Sequence, residues 1–252
     1  MSPAPPIVLI PARLSARRLP GKPLAMIGGE PMIVLVLRCA QAAAIGPVVV
    51  AAGDAEIVEV VTRAGGRAVL TNPALPSGSD RILAALADLD PEGRHRSVIN
   101  LQGDMPFVTP EILAACADLL ARAPACDIAT CVAPERGPSD RASPDVVKAV
   151  LAMDSAGRHG RALYFTRSVL YGDQPIWRHV GVYGYRRAAL LRFTAASPSP
   201  LELREGLEQL RALELGLTVW AAVVAAAPLS VDTPADLTAA RAHADRLGEH
   251  AP

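Results

Sequence analysis

The stretch IVLIPARLSARRLPGKPLAMIGGEPMI, from Ile7 to Ile33, decides the fold. It opens with an apolar run at 7–10 that is rich in β-branched residues, a pattern typical of a buried strand. A basic loop follows directly, with the four cations Arg13, Arg17, Arg18 and Lys22. Phosphate sites in open α/β sheets form at the carboxyl ends of strands. The loop therefore predicts a polyphosphate site, with a solvated basic surface as the alternative.

The loop contains neither GxxxxGK[ST] nor GxGxxG, so it is not a P-loop or a dinucleotide fingerprint. The chain has 252 residues with 25 basic and 25 acidic side chains, so no net charge draws it to nucleic acid or to a membrane surface. We expect no membrane-spanning segment and no signal peptide. The four cysteines show no CxxC spacing, which indicates a reduced, cytoplasmic protein.

Strands and helices alternate along the first half of the chain. Apolar runs predict strands at 7–10, 48–52, 68–71 and 97–101, and helical spacing predicts helices at 32–44, 55–64, 80–89 and 110–121. Asp54 is a predicted cap of the second helix, and Ser79 or Asp80 of the third. This alternation predicts an α/β fold with a doubly wound, mostly parallel sheet and right-handed crossovers.

The second half of the chain is less regular. It predicts strands at 127–132, 146–153, 180–185 and 217–224, helices at 187–194, 201–215 and 233–247, and a polar loop at 171–178. We interpret it as an insertion on the same sheet. The chain then forms one domain, 1–252, with a nucleotide-binding half at about 1–125, an α+β insertion at about 126–228 and a closing segment at about 229–252.

Two aspartates follow apolar runs and are candidate magnesium ligands. Asp104 lies in QGDMP and Asp232 in SVDTP. Mg²⁺ takes one or two carboxylates together with phosphate oxygens and water, and two metals can clamp a phosphoryl transfer. The alternatives are a plain turn at Asp104 and a helix N-cap at Asp232.

Three further patterns have both a functional and a structural interpretation. The SGSDR loop, 77–81, either contacts a base or sugar or only caps a helix. His179 is either a catalytic residue or a surface or packing residue. Glu205, Glu208 and Gln209 have the i, i+3, i+4 spacing of one helix face, and that face is either functional or solvated and paired with Arg204 and Arg211.

Taken together, these segments resemble the 3-deoxy-manno-octulosonate (KDO) cytidylyltransferases. The resemblance lies in IPAR…RRLPGKPLAMIGGEPMI, SGSDR, NLQGDMPFV, SPDVVKAV, ALYFTRS, RHVGVYGYRRAAL, SPLELREGLEQLRALE and VDTPADL. These segments follow the family's order from about residue 7 to about residue 241. The resemblance implies a nucleotide-diphospho-sugar transferase-like, Rossmann-like fold with a smaller inserted region for sugar binding and dimerisation.

The resemblance also implies a reaction, in which the anomeric hydroxyl of KDO attacks the α-phosphate of CTP. Pyrophosphate leaves, and CMP-KDO forms for lipopolysaccharide biosynthesis. The implied catalytic residues are Arg13, Lys22, Asp104 and Asp232, with the two aspartates holding Mg²⁺. The implied substrate-binding residues are Arg18 for the triphosphate, Ser77, Gly78 and Arg81 for the cytidine, and Gln102, Arg167, His179, Tyr183, Glu208 and Gln209 for the sugar. The implied partners are CTP, KDO and a second copy of the chain, with no nucleic acid and no membrane.

The sequence departs from the family pattern at four places: Met105, the run 51–54 (AAGD), Ser230 and a shortened 168–178 segment. The last of these borders the implied sugar pocket. Two alternatives therefore stay open: a cytidylyltransferase for another acidic sugar, such as 8-amino-KDO or a sialic acid, and a non-catalytic nucleotide-binding protein.

Overall fold

A computed structural model describes residues 4–15 and 18–248 of the chain, so Arg17 of the basic loop lies outside the described residues. The strands are β1 (Ile7–Ala12), β2 (Met26–Ile27), β3 (Glu30–Pro31), β4 (Val48–Ala52), β5 (Ala68–Leu70), β6 (Ser97–Leu101), β7 (Ile128–Pro134), β8 (Lys148–Met153), β9 (His159–Thr166), β10 (Trp177–Arg186) and β11 (Val219–Val223).

Helices alternate one for one with the strands from β3 to β8, whereas β8, β9 and β10 follow one another without a helix and three helices lie between β10 and β11. The helices are α1 (Met32–Ala42), α2 (Ala55–Arg63), α3 (Gly78–Leu89), α4 (Pro110–Arg122), α5 (Pro138–Ala142), α6 (Arg187–Ala195), α7 (Pro200–Glu205), α8 (Gln209–Glu214) and α9 (Pro234–Gly248), with one 3-10 turn at Lys22–Leu24. None of these helices has the length and apolar character that crossing a membrane requires.

The chain forms two compact units. The first comprises Met1–Arg94, Asn100–Pro110 and Pro228–Pro252, and the second comprises His95–Ile99 and Glu111–Ala227. Strand β6 is therefore divided, with its last two residues in the first unit. The sequence-based domain boundaries stay a prediction.

The first unit contains strands in the order β5-β4-β1-β6. Strand β1 pairs in parallel with β4, and β4 pairs in parallel with β5. All six residues of β1 are buried, as its apolar composition predicts. The carboxyl ends of β1 and β6 carry the basic loop and the QGD turn, so the fold places these two candidate segments at neighbouring strand ends.

The second unit is mixed, with strand order β10-β7-β11-β9-β8. Strands β7 and β11 are parallel, whereas β10 runs antiparallel to β7, and β9 runs antiparallel to both β11 and β8. The predicted α/β fold class is confirmed. Strand β9 is missing from the sequence-based prediction, because exposed Arg161 and Leu163 alternate with its buried residues and no continuous apolar run marks it.

One predicted cap is correct only in its position, and the other is wrong. Asp54 occupies the N-cap position of α2, but its side chain makes no capping hydrogen bond. Helix α3 begins earlier than predicted, at Gly78, and its cap is Ser77, whose hydroxyl accepts a hydrogen bond from the Asp80 amide. The predicted loop at 171–178 ends at Ile176, because Trp177 and Arg178 already belong to β10.

The predicted helix at 201–215 is also wrong, because two short helices replace it. Helix α7 ends at Glu205, and Gly206 has a left-handed backbone with φ 64° and ψ 37°. A capping box of Ser199 and Glu202 begins α7, and α8 begins only at Gln209. Glu205 therefore lies on a different helix from Gln209, and the predicted shared face does not exist.

We expect Gly206→Ala to lower the free energy of unfolding by about 1 kcal/mol, because a Cβ is disfavoured in the left-handed region. A Cβ there would meet no atom within 4 Å, so the cost is confined to the backbone. Urea denaturation measures the effect. Gly206→Asn is the matched control, since asparagine tolerates this conformation, and equal losses in both variants would contradict this explanation.

Candidate functional site

A cavity of about 650 Å³ lies in the first unit, at the ends of β1 and β6. This volume is within the range of nucleotide-sized ligands. Seven of the predicted site residues line it: Arg13, Lys22, Ser77, Gly78, Arg81, Gln102 and Asp104. The structure thus brings together residues that lie as much as ninety positions apart in the chain.

The Lys22 ammonium group links both candidate metal carboxylates. Its Nζ lies 3.0 Å from Asp104 Oδ2 and 3.2 Å from Asp232 Oδ1. The more exposed Arg18 guanidinium also contacts Asp232 Oδ1, at 3.0 Å. Two carboxylates thus converge on one positive charge, the arrangement that two carboxylate ligands of a single cation require.

Burial raises the pKa of the Asp104 carboxyl, and the neighbouring Asp232 charge raises it further, whereas Lys22 opposes both effects. A backbone hydrogen bond of 2.9 Å from the Val231 amide to the Asp104 carbonyl holds the two acidic segments together. Gly103 is required beside them, because a Cβ there would lie 2.8 Å from the Pro11 carbonyl oxygen.

A different residue caps α9, and this leaves the Asp232 carboxylate available to the cations. The Thr233 hydroxyl accepts from the Asp236 amide at 3.2 Å, and the Asp236 carboxylate accepts from the Thr233 amide at 2.8 Å. This reciprocal pair is a capping box. The alternative interpretation of Asp232 as the N-cap is therefore wrong.

The beginning of α3 forms another part of the cavity wall. The Ser77 hydroxyl donates to the Asp80 carboxylate at 2.7 Å, so Asp80 orients this hydroxyl, which is predicted to lie near the cytidine. A Cβ at Gly78 would lie 3.2 Å from Pro11 Cγ, which shows how closely α3 approaches β1. This close approach requires a small residue at position 78.

Arg81 is almost fully buried, although it lines the cavity. Its guanidinium donates to Thr71 Oγ1 at 2.6 Å and to the carbonyls of Asn72 and Pro73 at 3.2 and 3.4 Å. Burial, followed by the Arg13 charge, lowers its pKa. A Cβ at Gly53 would lie 2.8 Å from Arg81 Nη1, so glycine in the AAGD run leaves room for this guanidinium.

Asp54 holds the basic loop, a role that the capping interpretation missed. Its Oδ2 accepts a hydrogen bond of 2.8 Å from the Leu14 amide, next to Arg13. Only the tertiary structure reveals this contact, because the two residues are 40 positions apart. Gln102 is held in a similar way: its Nε2 donates to the buried Asn100 Oδ1 at 3.3 Å, which leaves Oε1 without a donor among the residues that the structure describes.

Apart from Gln102, which lies in the first unit, the predicted sugar-binding residues lie in the second unit. The His179 and Tyr183 rings are 5.4 Å apart, and His179 is also 5.0 Å from the Phe165 ring. Burial lowers the pKa of His179 to about 4, so its imidazole is neutral at physiological pH. Burial also raises the pKa of Tyr183, with smaller contributions from Tyr185 and Glu208.

Glu208 and Gln209 stand together at the beginning of α8. A Glu208 oxygen lies 3.8 Å from Arg211 Nη2. Gln209 is buried, and its Nε2 has no hydrogen-bond acceptor among the described residues. An unsatisfied buried donor is costly, so the Gln209 amide has a hydrogen free for a further partner.

Arg167 is held at the end of β9 by backbone groups. Its Nε donates to the Glu205 carbonyl at 3.2 Å and its Nη1 to the Pro144 carbonyl at 2.9 Å. The Glu205 carboxylate accepts from the Arg167 amide at 3.1 Å, and the buried Lys148 ammonium donates to the Arg167 carbonyl at 2.9 Å. Glu205 and Lys148 thus position this segment, and sequence analysis did not identify Lys148.

Three comparisons agree with this architecture. The model of the cytidylyltransferase family matches residues 7–219. The chain is 53% identical to a 3-deoxy-manno-octulosonate cytidylyltransferase of Parvibaculum lavamentivorans, over 94% of this chain and 92% of that relative. It is 54% identical to the enzyme of the same name from Rhodospirillum centenum, over 97% and 95%.

A solved structure of a CMP:2-keto-3-deoxy-manno-octonic acid synthetase complexed with CTP is also similar. The TM-score is 0.88 with 33% sequence identity, covering 97% of this chain and all of that one. The fold, the cavity and the family match define an enzyme of the cytidylyltransferase class. Within that class, the chain belongs to the 3-deoxy-manno-octulosonate cytidylyltransferase family, which confirms the resemblance seen in the sequence.

The lowered pKa of His179 predicts a pH-dependent stability. Between pH 6.5 and 4 the unfolded chain protonates this imidazole while the folded chain does not, so the free energy of unfolding falls as the pH falls. We expect wild type to lose up to roughly 3 kcal/mol more than His179→Gln between pH 7 and pH 4. Denaturant unfolding across this range measures the difference, and parallel pH profiles for the two proteins would contradict it.

Proposed function

We propose that this enzyme activates KDO with CTP and releases CMP-KDO and pyrophosphate, with Mg²⁺ as cofactor. The observation that carries the proposal is the Lys22 ammonium between the carboxylates of Asp104 and Asp232, beside a nucleotide-sized cavity. Basic and acidic groups together at a strand end suit the transfer of a phosphoryl-type group, whose transition state carries charge on the phosphate oxygens.

The donor set fits a magnesium ion. Asp104 and Asp232 would hold it, because their oxygens already share one cation and Mg²⁺ accepts two carboxylates with phosphate and water. The bound ion would stabilise charge on the phosphate oxygens and lower the pKa of the attacking hydroxyl. Lys22 would then bind the triphosphate, with Arg13 and Arg18 as further cations.

The proposed step has a simple atom balance. The anomeric oxygen of KDO forms a bond to the α-phosphorus of CTP, and the bond from that phosphorus to the bridging oxygen breaks. Pyrophosphate takes the bonding electron pair, and the hydroxyl proton passes to solvent. The chain supplies fixed charges and orientation, so no covalent enzyme intermediate is required.

The sugar would be bound by Gln102 of the first unit and by residues of the second unit. The unsatisfied Gln209 Nε2 and the neutral His179 are suited to sugar hydroxyls, and Arg167 to the sugar carboxylate. The proposal includes a homodimer formed through the second unit and a role in lipopolysaccharide biosynthesis, both from the family resemblance. It also includes a cytoplasmic location, in keeping with four free cysteines.

Pyrophosphate release tests the reaction. In the presence of Mg²⁺ and KDO, we expect CTP to release pyrophosphate and ATP, GTP and UTP to release none. Parallel reactions with 8-amino-KDO and a sialic acid test the alternative that the shortened 168–178 segment leaves open. Release with one of these sugars and not with KDO would overturn the sugar assignment, while the nucleotide and metal assignments would stand.

Asp104→Asn tests the metal assignment. We expect turnover to fall on the order of 10²-fold or more, because the amide keeps the shape but loses the charge that holds the cation. Stability should not fall, since burial already disfavours the charged form of Asp104. Steady-state kinetics and thermal unfolding measure the two effects. Asp118→Asn, at an exposed carboxylate on α4, is the matched control, and full activity in Asp104→Asn would refute the assignment.

A further inference from the structure

A bulge in β10 lies opposite Thr130 of β7. The pairing runs Val180 with Cys131 and then Tyr183 with Thr130, so Gly181 and Val182 have no counterpart on β7. A bulge leaves ladder groups without their regular partners and redirects the side chains beside it. His179 immediately precedes Val180, the last residue of β10 that pairs regularly before the bulge, so its side chain lies beside the bulge.

Thr130 occupies the centre of this bulge and is fully buried. Its Oγ1 lies 2.8 Å from the Val182 carbonyl oxygen and 3.1 Å from the Val180 carbonyl oxygen. The same oxygen lies 2.9 Å from His179 Nε2. One hydroxyl group therefore meets three neighbours, and it has only one hydrogen to donate.

The position of that hydrogen decides the state of the histidine. If the hydroxyl donated to Nε2, two carbonyl oxygens would face the Thr130 oxygen at 2.8 and 3.1 Å with no hydrogen between them. That arrangement is repulsive, because oxygen lone pairs face one another. If the hydroxyl instead shares its one hydrogen between the two carbonyl oxygens in a three-centre bond, Nε2 must carry a hydrogen and donate to Oγ1, and each of the three contacts then has a hydrogen between its two atoms.

The other ring nitrogen follows from this arrangement. The imidazole is neutral, as its lowered pKa indicates, so it carries one hydrogen only. With that hydrogen on Nε2, Nδ1 bears a lone pair, and it makes no hydrogen bond to any described residue. The rings of Phe165 and Tyr183, inclined at 70° and 50° to the imidazole, restrict its rotation.

We propose that Thr130 is a positioning residue that fixes His179 in the tautomer with hydrogen on Nε2, so that Nδ1 accepts a hydrogen bond from a hydroxyl group of the acidic sugar. The second half of this inference rests on the proposed function, whereas the tautomer itself does not. Such an acceptor would favour a sugar with a hydroxyl at that position over an analogue without it.

Nitrogen NMR of the ligand-free enzyme tests the tautomer. Histidine labelled with ¹⁵N distinguishes a ring nitrogen that carries hydrogen from one that does not, and the signals missing in His179→Gln identify His179. We expect wild type to carry the hydrogen on Nε2, and a hydrogen on Nδ1 would overturn the proposal.

Two variants test the role of the hydroxyl. Thr130→Ser keeps the hydroxyl and should keep the tautomer, whereas Thr130→Val has the same shape without it and should give a mixture of tautomers. For turnover, we expect Thr130→Val to raise the KM for KDO about tenfold while the KM for CTP is unchanged, with rescue in Thr130→Ser. An unchanged tautomer and an unchanged KM for KDO in Thr130→Val would overturn the proposal.

The two readouts separate the two hypotheses. If wild type shows the Nε2 tautomer but releases no pyrophosphate with KDO, the proposed function fails while the assignment of Thr130 to the tautomer stands. If Thr130→Val fails to fold, the wild-type and Thr130→Ser spectra still decide whether hydrogen is on Nε2.

Discussion

The ion pairs of Lys22 are the interaction on which the candidate site depends. Asp104 and Asp232 bring two negative charges into a partly buried place, where their repulsion would otherwise keep the segments apart. One ammonium group between them offsets that repulsion and joins parts of the chain that are 82 and 210 positions from it. The backbone bond from Val231 to Asp104 reinforces this junction. The first unit is thus closed around a charge arrangement that also suits a metal and a polyphosphate.

Secondary contacts make the functional side chains available. Thr233 and Asp236 cap α9, which leaves the carboxylate of Asp232 facing the cations. The Asn100 side chain accepts a hydrogen bond from the Gln102 amide nitrogen, and the Glu205 carboxylate accepts one from the Arg167 backbone amide at the end of β9. In each case a neighbouring group satisfies a local hydrogen-bond requirement, so the remaining polar atoms of the predicted site residues stay available for other partners.

Much of the fold follows from local pattern. The predictions of strands at β1, β4 and β6 and of loops after β1 and β6 agree with the structure, because burial and strand-end chemistry leave a clear signal in the sequence. The helix at 201–215 failed because its apolar spacing continues across Gly206, although the Ser199 capping box and that glycine were visible. The Asp54–Leu14 contact and the contact between Thr130 and His179 could not be predicted, since each depends on residues brought together only by the folded sheet.

The buried guanidinium of Arg81 has a consequence for the response to ionic strength. Three of its N–H groups donate to the 71–73 segment and fix the guanidinium, so its charge acts on the cavity from a fixed position. Dissolved ions screen a buried charge only weakly, whereas they screen exposed cations such as Arg18 strongly. The positive potential of the cavity therefore has one component, from buried Arg81, that resists salt. It has a second component, from the exposed cations of the basic loop, that salt weakens. Concentrated electrolyte would remove the long-range attraction of an anion while leaving part of its local stabilisation intact.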